Sequence, residues 1–295
     1  ARGAVPRGVL EELLASVREG ERRAVPGPGG DWALHLQQVC APRGWSLCSE
    51  PFSGSRAAPC DFAAAKAAVL RQCGIVTLHG SEEGALTPDQ VASLRRATLD
   101  FAMRAIDCIG RQLSKDPDTV LRYSDVVART SHRLNVKVDE LWHAGAFGFL
   151  HAGSAFHDVL REAFGTEDFR LTHCGALLAR PAPDGLANNV NQAWHRDAPE
   201  EPQLSAAFDP FAVVVYVPLV DVHPDGGATE FLVGSHRDGL EPGDARAVAR
   251  SEAQGLVSTA GMAAGDVALF DCRTCHRGLL HTNPRRGLGA LGLRP

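Results

Sequence analysis

Lysine is almost missing from this chain. Of the 30 Lys and Arg residues, only Lys66, Lys115 and Lys137 are lysines, and 35 acidic residues leave a net charge of −5. That balance lacks the basic footprint a nonspecific nucleic-acid binder needs, and the arginine bias reads as composition rather than phosphate recognition. Long apolar runs are also missing. The longest, Phe211 to Val220, is too short to span a bilayer. No N-terminal stretch has the order of a signal peptide, so the expectation is a cytoplasmic protein with no membrane partner, with an organelle or secretory route as the alternative if a targeting segment was removed. Cysteine is sparse, at eight residues in 295, which excludes a disulfide scaffold. Cys40, Cys48 and Cys60 lie in a Gly/Pro-rich stretch and could pair in an oxidising compartment. Cys73 and Cys108 fall in apolar helical patterns and read as core residues. Methionine is limited to Met103 and Met262.

What is present is ordinary for a soluble globular chain: 44% hydrophobic and 22% charged residues. The length suits one large domain. Residues 8–19 read as a helix, and 20–60 as irregular around Pro-Gly-Pro-Gly-Gly at 26–30. Residues 1–60 are therefore expected to form an N-terminal arm, with the folded domain at 61–295. Asp61 to Gln72 is Ala-rich and helical, ended by Gly74, and Ile75–His79 reads as a strand. Thr87-Pro-Asp-Gln90 starts a helix that runs to about Leu113. Phe156–Phe164 is a short helix. Strands are expected at Phe169–Arg180, Val213–Val220, Thr229–Val233, Gly255–Thr259, Asp266–Phe270 and Leu288–Leu293. Their spacing and turn residues suggest an all-β sandwich or barrel, with the preceding helices packed on one side. Loops at 181–191, 199–210 and 237–254 are long enough to carry substrate contacts.

The strongest local signal is Trp194-His195-Arg196-Asp197. On a strand, residues i and i+2 share a face, so His195 and Asp197 can offer an imidazole and a carboxylate to one point. A second imidazole from a distant strand would complete a facial triad, with positions left open on Fe(II) for a bidentate cosubstrate and O2. Downstream, Ala264–Gly278 reads as a Gly-Asp turn, an apolar strand and then His276 just past its end. The same stretch contains Cys272-Arg-Thr-Cys275-His276, a c-type haem attachment pattern. Haem also needs a second axial ligand and a pocket, and methionine is scarce. A zinc site at Cys272 and Cys275 lacks two further ligands nearby, and a redox role lacks its βαβ setting. Both cysteines therefore read as small strand residues.

Four blocks, WHRD (194–197), DVHPDGGATEFLVGSHRDG (221–239), AGDVALFDCRTCHRG (264–278) and NPRRG (283–287), together resemble the phytanoyl-CoA dioxygenase family in order and spacing. The resemblance covers about residues 60–295 and is clearest from 169 onward. It implies a mainly β fold with flanking helices, a double-stranded β-helix of the jelly-roll or cupin type. It implies Fe(II) held by His195, Asp197 and His276, with 2-oxoglutarate and O2 as cosubstrates. The far carboxylate of 2-oxoglutarate would be held by an arginine after the distal histidine, Arg286 with Arg285 as rival. Hydroxylation of a C–H bond in a small molecule, releasing succinate and CO2, is the implied reaction. Related halogenases have a small residue at the position of Asp197, so hydroxylation is expected over halogenation.

Some positions depart from that pattern. Members often carry a hydroxyl two residues after the distal histidine, where this chain has Gly278. Thr282 or another hydroxyl is then expected to substitute. Arg196 stands between the paired ligands where Gln is common, and Val233 where Pro is usual. Thr172, Leu177 and Asn191 are further candidates for cosubstrate contact. His236 reads as a turn residue, and His281 ranks below His276 as distal ligand. His143, His151, His157 and His173 read as packing or surface residues, and Trp194 as packing. Arg122, Arg129 and Arg133 could meet an anionic substrate, but read as solvated. Two other readings stay open: a cupin-like metalloenzyme that does not use 2-oxoglutarate, such as a lyase or isomerase, and a catalytically silent binding module. A monomer is expected.

Overall fold

The computed structural model describes residues 62–79, 86–113, 126–130, 133–137, 155–179, 181, 191–197, 209–237, 244, 248–249, 255–283 and 290–294. The arm expected at 1–60, with its helix, and most of the three long loops fall outside these residues. So do Arg122, His143, His151, Arg285 and Arg286.

Helix α1 spans Phe62–Cys73 and leads into β1, Ile75–Leu78. Gly74 makes that join with φ +78, a left-handed conformation suited to a helix C-terminus, and its N–H donates to Leu70 O at 2.8 Å. Helix α2, Pro88–Leu113, begins with a reciprocal cap. Gln90 N–H donates to Thr87 Oγ1 and Thr87 N–H to Gln90 Oε1, with Pro88 where a missing N–H costs nothing. Strands β2 (Val126–Thr130) and β3 (Arg133–Lys137) follow, then helix α3 (Ala155–Phe164) and β4 (Gly175–Ala179). The remaining strands are β5 (Val213–Pro218), β6 (Thr229–Leu232), β7 (Leu256–Ser258), β8 (Val267–Asp271), β9 (His276–Gly278) and β10 (Ala290–Arg294).

The described strands form a seven-stranded sheet, β1-β8-β5-β10-β4-β3-β2, and a three-stranded sheet, β7-β6-β9. All pairings are antiparallel. This is the double-stranded β-helix, and its helices pack on one face of the large sheet. Strand alternation sorts the side chains. Val76 and Leu78 of β1, Val217 of β5, Leu178 of β4 and Val267 and Leu269 of β8 pack with Leu70, Leu94, Val159 and Leu160 from the helices. The intervening residues Ile75, Tyr216, Ala268 and Phe270 turn the other way and meet Phe231, Val257 and Met262 of the smaller sheet side. Each large apolar side chain buried in these two layers contributes about 1.5–3 kcal/mol.

The structure corrects several expectations. Strands β2 and β3 were not expected. Residues 169–174 are irregular and only 175–179 form a strand, because Phe169 packs on Phe164 and His157 at the end of α3. Cys73 is buried as expected but is disulfide-bonded. Cys108, also expected in the core, is exposed, and Cys108, Cys174, Cys272 and Cys275 are outside any disulfide. Cys272 and Cys275 lie in the turn between β8 and β9 rather than on a strand. Arg133 is not solvated: it is 1% exposed.

A knot of polar contacts ties α1 to the turns near the end of the barrel. Gly234 N–H donates to Cys73 O, and Asp271 N–H to Gly74 O. Thr274 Oγ1 also donates to Gly74 O, and His236 Nε2–H donates to Arg71 O at 2.9 Å. His236 is thus a turn residue. A Cβ at Gly74 would stand 2.5 Å from both His236 Nδ1 and Thr274 Oγ1. Gly74→Ala should therefore destabilise by about 1–3 kcal/mol, from backbone strain and that clash, read as a lower urea midpoint. Burial depresses the pKa of His236 below 6.5, outweighing its bond to the Arg71 carbonyl. The unfolded chain then takes up a proton that the folded chain refuses. Stability should fall as pH drops below about 6.5, and His236→Gln should lose that part of the slope in denaturation measured between pH 7.5 and 5.

Candidate metal centre

The segment 191–197 runs extended beside β9 and is held by backbone bonds. His195 and His276 exchange a pair: His195 N–H to His276 O at 3.0 Å, and His276 N–H to His195 O at 2.9 Å. Gln192 N–H donates to Gly278 O, and Asp197 N–H to Cys272 O. Directly opposed residues in an antiparallel pair point to one face. The two imidazoles therefore stand side by side, with ring centroids 4.4 Å apart. Asp197, two residues on, shares the face of His195. Its Oδ1 is 4.0 Å from His195 Nε2 and its Oδ2 3.6 Å from His276 Nε2.

Each histidine is oriented through its other nitrogen. Nδ1–H of His195 donates to Ala193 O, and Nδ1–H of His276 to Thr274 O, both at 2.9 Å. That leaves the Nε2 lone pairs facing the carboxylate, as a metal-binding histidine requires. The three donor atoms all lie within 4.8 Å of one another. Two neutral imidazoles and one carboxylate, all from one side, fit Fe(II) with open positions. His276 forms the floor at 0% exposure, stacked on Phe231 and edge-on to Phe270. His195 and Asp197 are partly open to solvent, which leaves a way in for a small molecule.

The turn that presents His276 is fastened by a buried ion pair. Asp271 accepts from the N–H, Nε and Nη2 of Arg273, the last at 2.6 Å. Burial pushes the Cys272 thiol up to about 12 and the Cys275 thiol up to about 11. Both thiols therefore keep their protons at neutral pH. On the reverse face, Arg277 lies over the Trp194 ring at 4.3 Å and pairs with Glu230 at 2.8 Å. Arg196 Nη2 donates to Ser235 O. These contacts clamp the ligand-bearing segments from behind.

The other candidates are scattered. Asn191 Oδ1 accepts from Leu280 N–H and so ties backbone. Thr172 is exposed in the irregular stretch before β4, and Thr282 is exposed just past the bridge of His281 to Gly226. His281 is buried, and its Nδ1 accepts from Asn283 N–H. Leu177 is buried and faces the barrel interior by alternation, against Asn135 of β3. Thr229 is buried directly across from Gly278, so its side chain shares the face of Gly278. No pattern in the sequence singled out Thr229; only the register of β6 on β9 does so.

The sequence model of the phytanoyl-CoA dioxygenase (PhyH) family matches residues 71–287. A curated relative, "Dioxygenase hkm4" of Aspergillus hancockii, is 31% identical over 129 residues, 42% of this chain and 38% of the relative. The match thus spans well under half of that protein. AviO1 from Streptomyces viridochromogenes Tue57 superposes with a TM-score of 0.50 at 22% identity, over 81% of this chain and 95% of that one. EctD from S. alaskensis, solved with 2-oxoglutarate and 5-hydroxyectoine, gives 0.50 at 22% over 82% and 77%. The non-heme α-ketoglutarate-dependent carbocyclase SnoK from nogalamycin biosynthesis gives 0.51 at 15% over 83% and 85%. At these identities the structural likeness is one of fold. The family match covers most of the chain and includes the H-x-D pair and the distal histidine, and the protein belongs to the phytanoyl-CoA dioxygenase (PhyH) family.

Proposed function

We propose that the protein is an Fe(II)- and 2-oxoglutarate-dependent hydroxylase of a small molecule. The observation that carries this is the convergence of His195, Asp197 and His276 at the mouth of the barrel, with both Nδ1 atoms already committed to carbonyls. His195, Asp197 and His276 would hold the iron. When bound, iron with 2-oxoglutarate and O2 supplies an oxidant able to replace C–H by C–OH, and 2-oxoglutarate leaves as succinate and CO2. The chain's own part is to position and shield. The Nδ1 contacts keep both imidazoles in one tautomer, and Phe231 and Phe270 keep water from the floor at His276. Asp197 occupies the third ligand position, which supports hydroxylation over halogenation. For the far carboxylate of 2-oxoglutarate we propose Arg286, with Arg285 as the rival, because a guanidinium fork matches a carboxylate. An anchor of that kind has no purpose in a cupin-like lyase or isomerase. No helix among the described residues is long and apolar enough to cross a membrane.

Anaerobic protein loaded with Fe(II) and 2-oxoglutarate should show a visible charge-transfer band, and should yield succinate when O2 is admitted. Absence of both would sink the cosubstrate assignment. His276→Ala should weaken metal binding by more than about 100-fold and remove both signals while the far-ultraviolet circular dichroism is kept. Full activity in that variant would remove His276 from the ligand set. Arg286→Ala should weaken 2-oxoglutarate binding more than Arg285→Ala does, and the reverse order would reassign the anchor.

A further inference from the structure

Gly278 stands where related chains often have a hydroxyl, and the space its side chain would fill is occupied. A Cβ built there would lie 1.9 Å from Arg133 Nη1, 2.2 Å from Arg133 Cζ and 2.5 Å from Gln192 Oε1. The guanidinium of Arg133 is therefore laid directly on the Gly278 backbone. It comes from the other sheet: Arg133 opens β3 and pairs with Ala179 of β4. Its neighbours on β3, Leu134 and Val136, pack toward the helices, so alternation turns Arg133 and Asn135 into the barrel. There Nη1 of Arg133 donates to Gly227 O and Leu279 O, each at 3.3 Å.

Strand β9 sets the relation to the metal centre. His276 and Gly278 are two apart on one strand, so they share a face and lie about 7 Å apart along it. Thr229, directly opposite Gly278, faces the same space. A buried guanidinium thus sits beside the distal ligand, inside the barrel, at a strand position with no side chain to keep it away. A guanidinium out of water, with its fork of donors, favours a carboxylate partner.

We propose that Arg133 takes the place of the missing hydroxyl and binds the far carboxylate of the dicarboxylate cosubstrate, with Gly278 kept bare to admit it. This rests on the 2-oxoglutarate reading above and adds to it a residue from β3, on the opposite sheet and far upstream of the motif blocks. It would supply a polar partner for the cosubstrate where Gly278 offers none.

The test compares two acids on Mn(II)-loaded full-length protein by calorimetry, Mn(II) being a redox-silent stand-in for iron. 2-Oxoglutarate carries the far carboxylate; 2-oxopentanoate has the same carbon chain without it. Wild type should prefer 2-oxoglutarate. Arg133→Leu should weaken 2-oxoglutarate by about 30-fold, the loss of one partner in a buried charged pair. It should leave 2-oxopentanoate and Mn(II) affinity unchanged, which a merely structural role would not do. Gly278→Ala approaches from the other strand: its methyl displaces the guanidinium, so it too should weaken 2-oxoglutarate selectively. In the Arg133→Leu background it should add little. If Arg133→Leu does not fold, Gly278→Ala decides alone. If wild type shows no preference for 2-oxoglutarate, the cosubstrate reading falls and takes this inference with it. If wild type prefers it and either variant keeps the full preference, the role of Arg133 is overturned while the cosubstrate reading stands.

Discussion

Two backbone hydrogen bonds, exchanged between His195 and His276, are the constraint on which the centre depends. They place residues 81 positions apart in direct register. Register in turn decides which side chains can meet, since a slip of one residue would turn every imidazole and carboxylate to the wrong face. Everything nearby protects that register. Gln192 and Asp197 add backbone bonds on either side, Arg277 and Trp194 close over the reverse face, and the Asp271–Arg273 pair fixes the turn just upstream.

The large sheet works as a partition. One face binds the helices and the other lines the barrel, so stability and chemistry fall on alternate residues of the same strands. In β8, Val267 and Leu269 serve the helical layer, while Phe270 reaches the histidine floor. A substitution in these strands is therefore read first by its parity. The same rule turns Arg133 inward between two residues that anchor β3 to the helices.

Much of this was legible in the sequence, for stated reasons. Gly74, Thr87 and the Ala-rich run before Gly74 are local signals, and local signals located α1 and α2. The H-x-D spacing reflects strand periodicity, and the blocks around His276 carried the family resemblance. The failures were non-local. In β3 the polar positions Arg133 and Asn135 face the interior and the apolar ones face the helical layer. A polar alternation therefore looked like a solvated segment. Strand β9 is three residues long and is defined only by its partners β6 and 191–197. Phe169 and Leu171 imitated the start of a strand, but Phe169 belongs to the packing at the end of α3. The C-x-x-C-H string misleads because spacing says nothing about burial, and burial is what keeps both thiols protonated.

Those two thiols have a consequence for endurance. Under the proposed function, O2 at this centre would expose its surroundings to peroxide and partly reduced oxygen, and cysteine is the side chain most readily damaged by them. Attack requires the thiolate and access. Cys272 and Cys275 lie within the turn that delivers His276, yet both are buried and both hold their protons far above neutral pH. The turn can thus place small, polarizable sulfur atoms against the segments that carry His195 and His276 without offering an oxidisable fuse beside them.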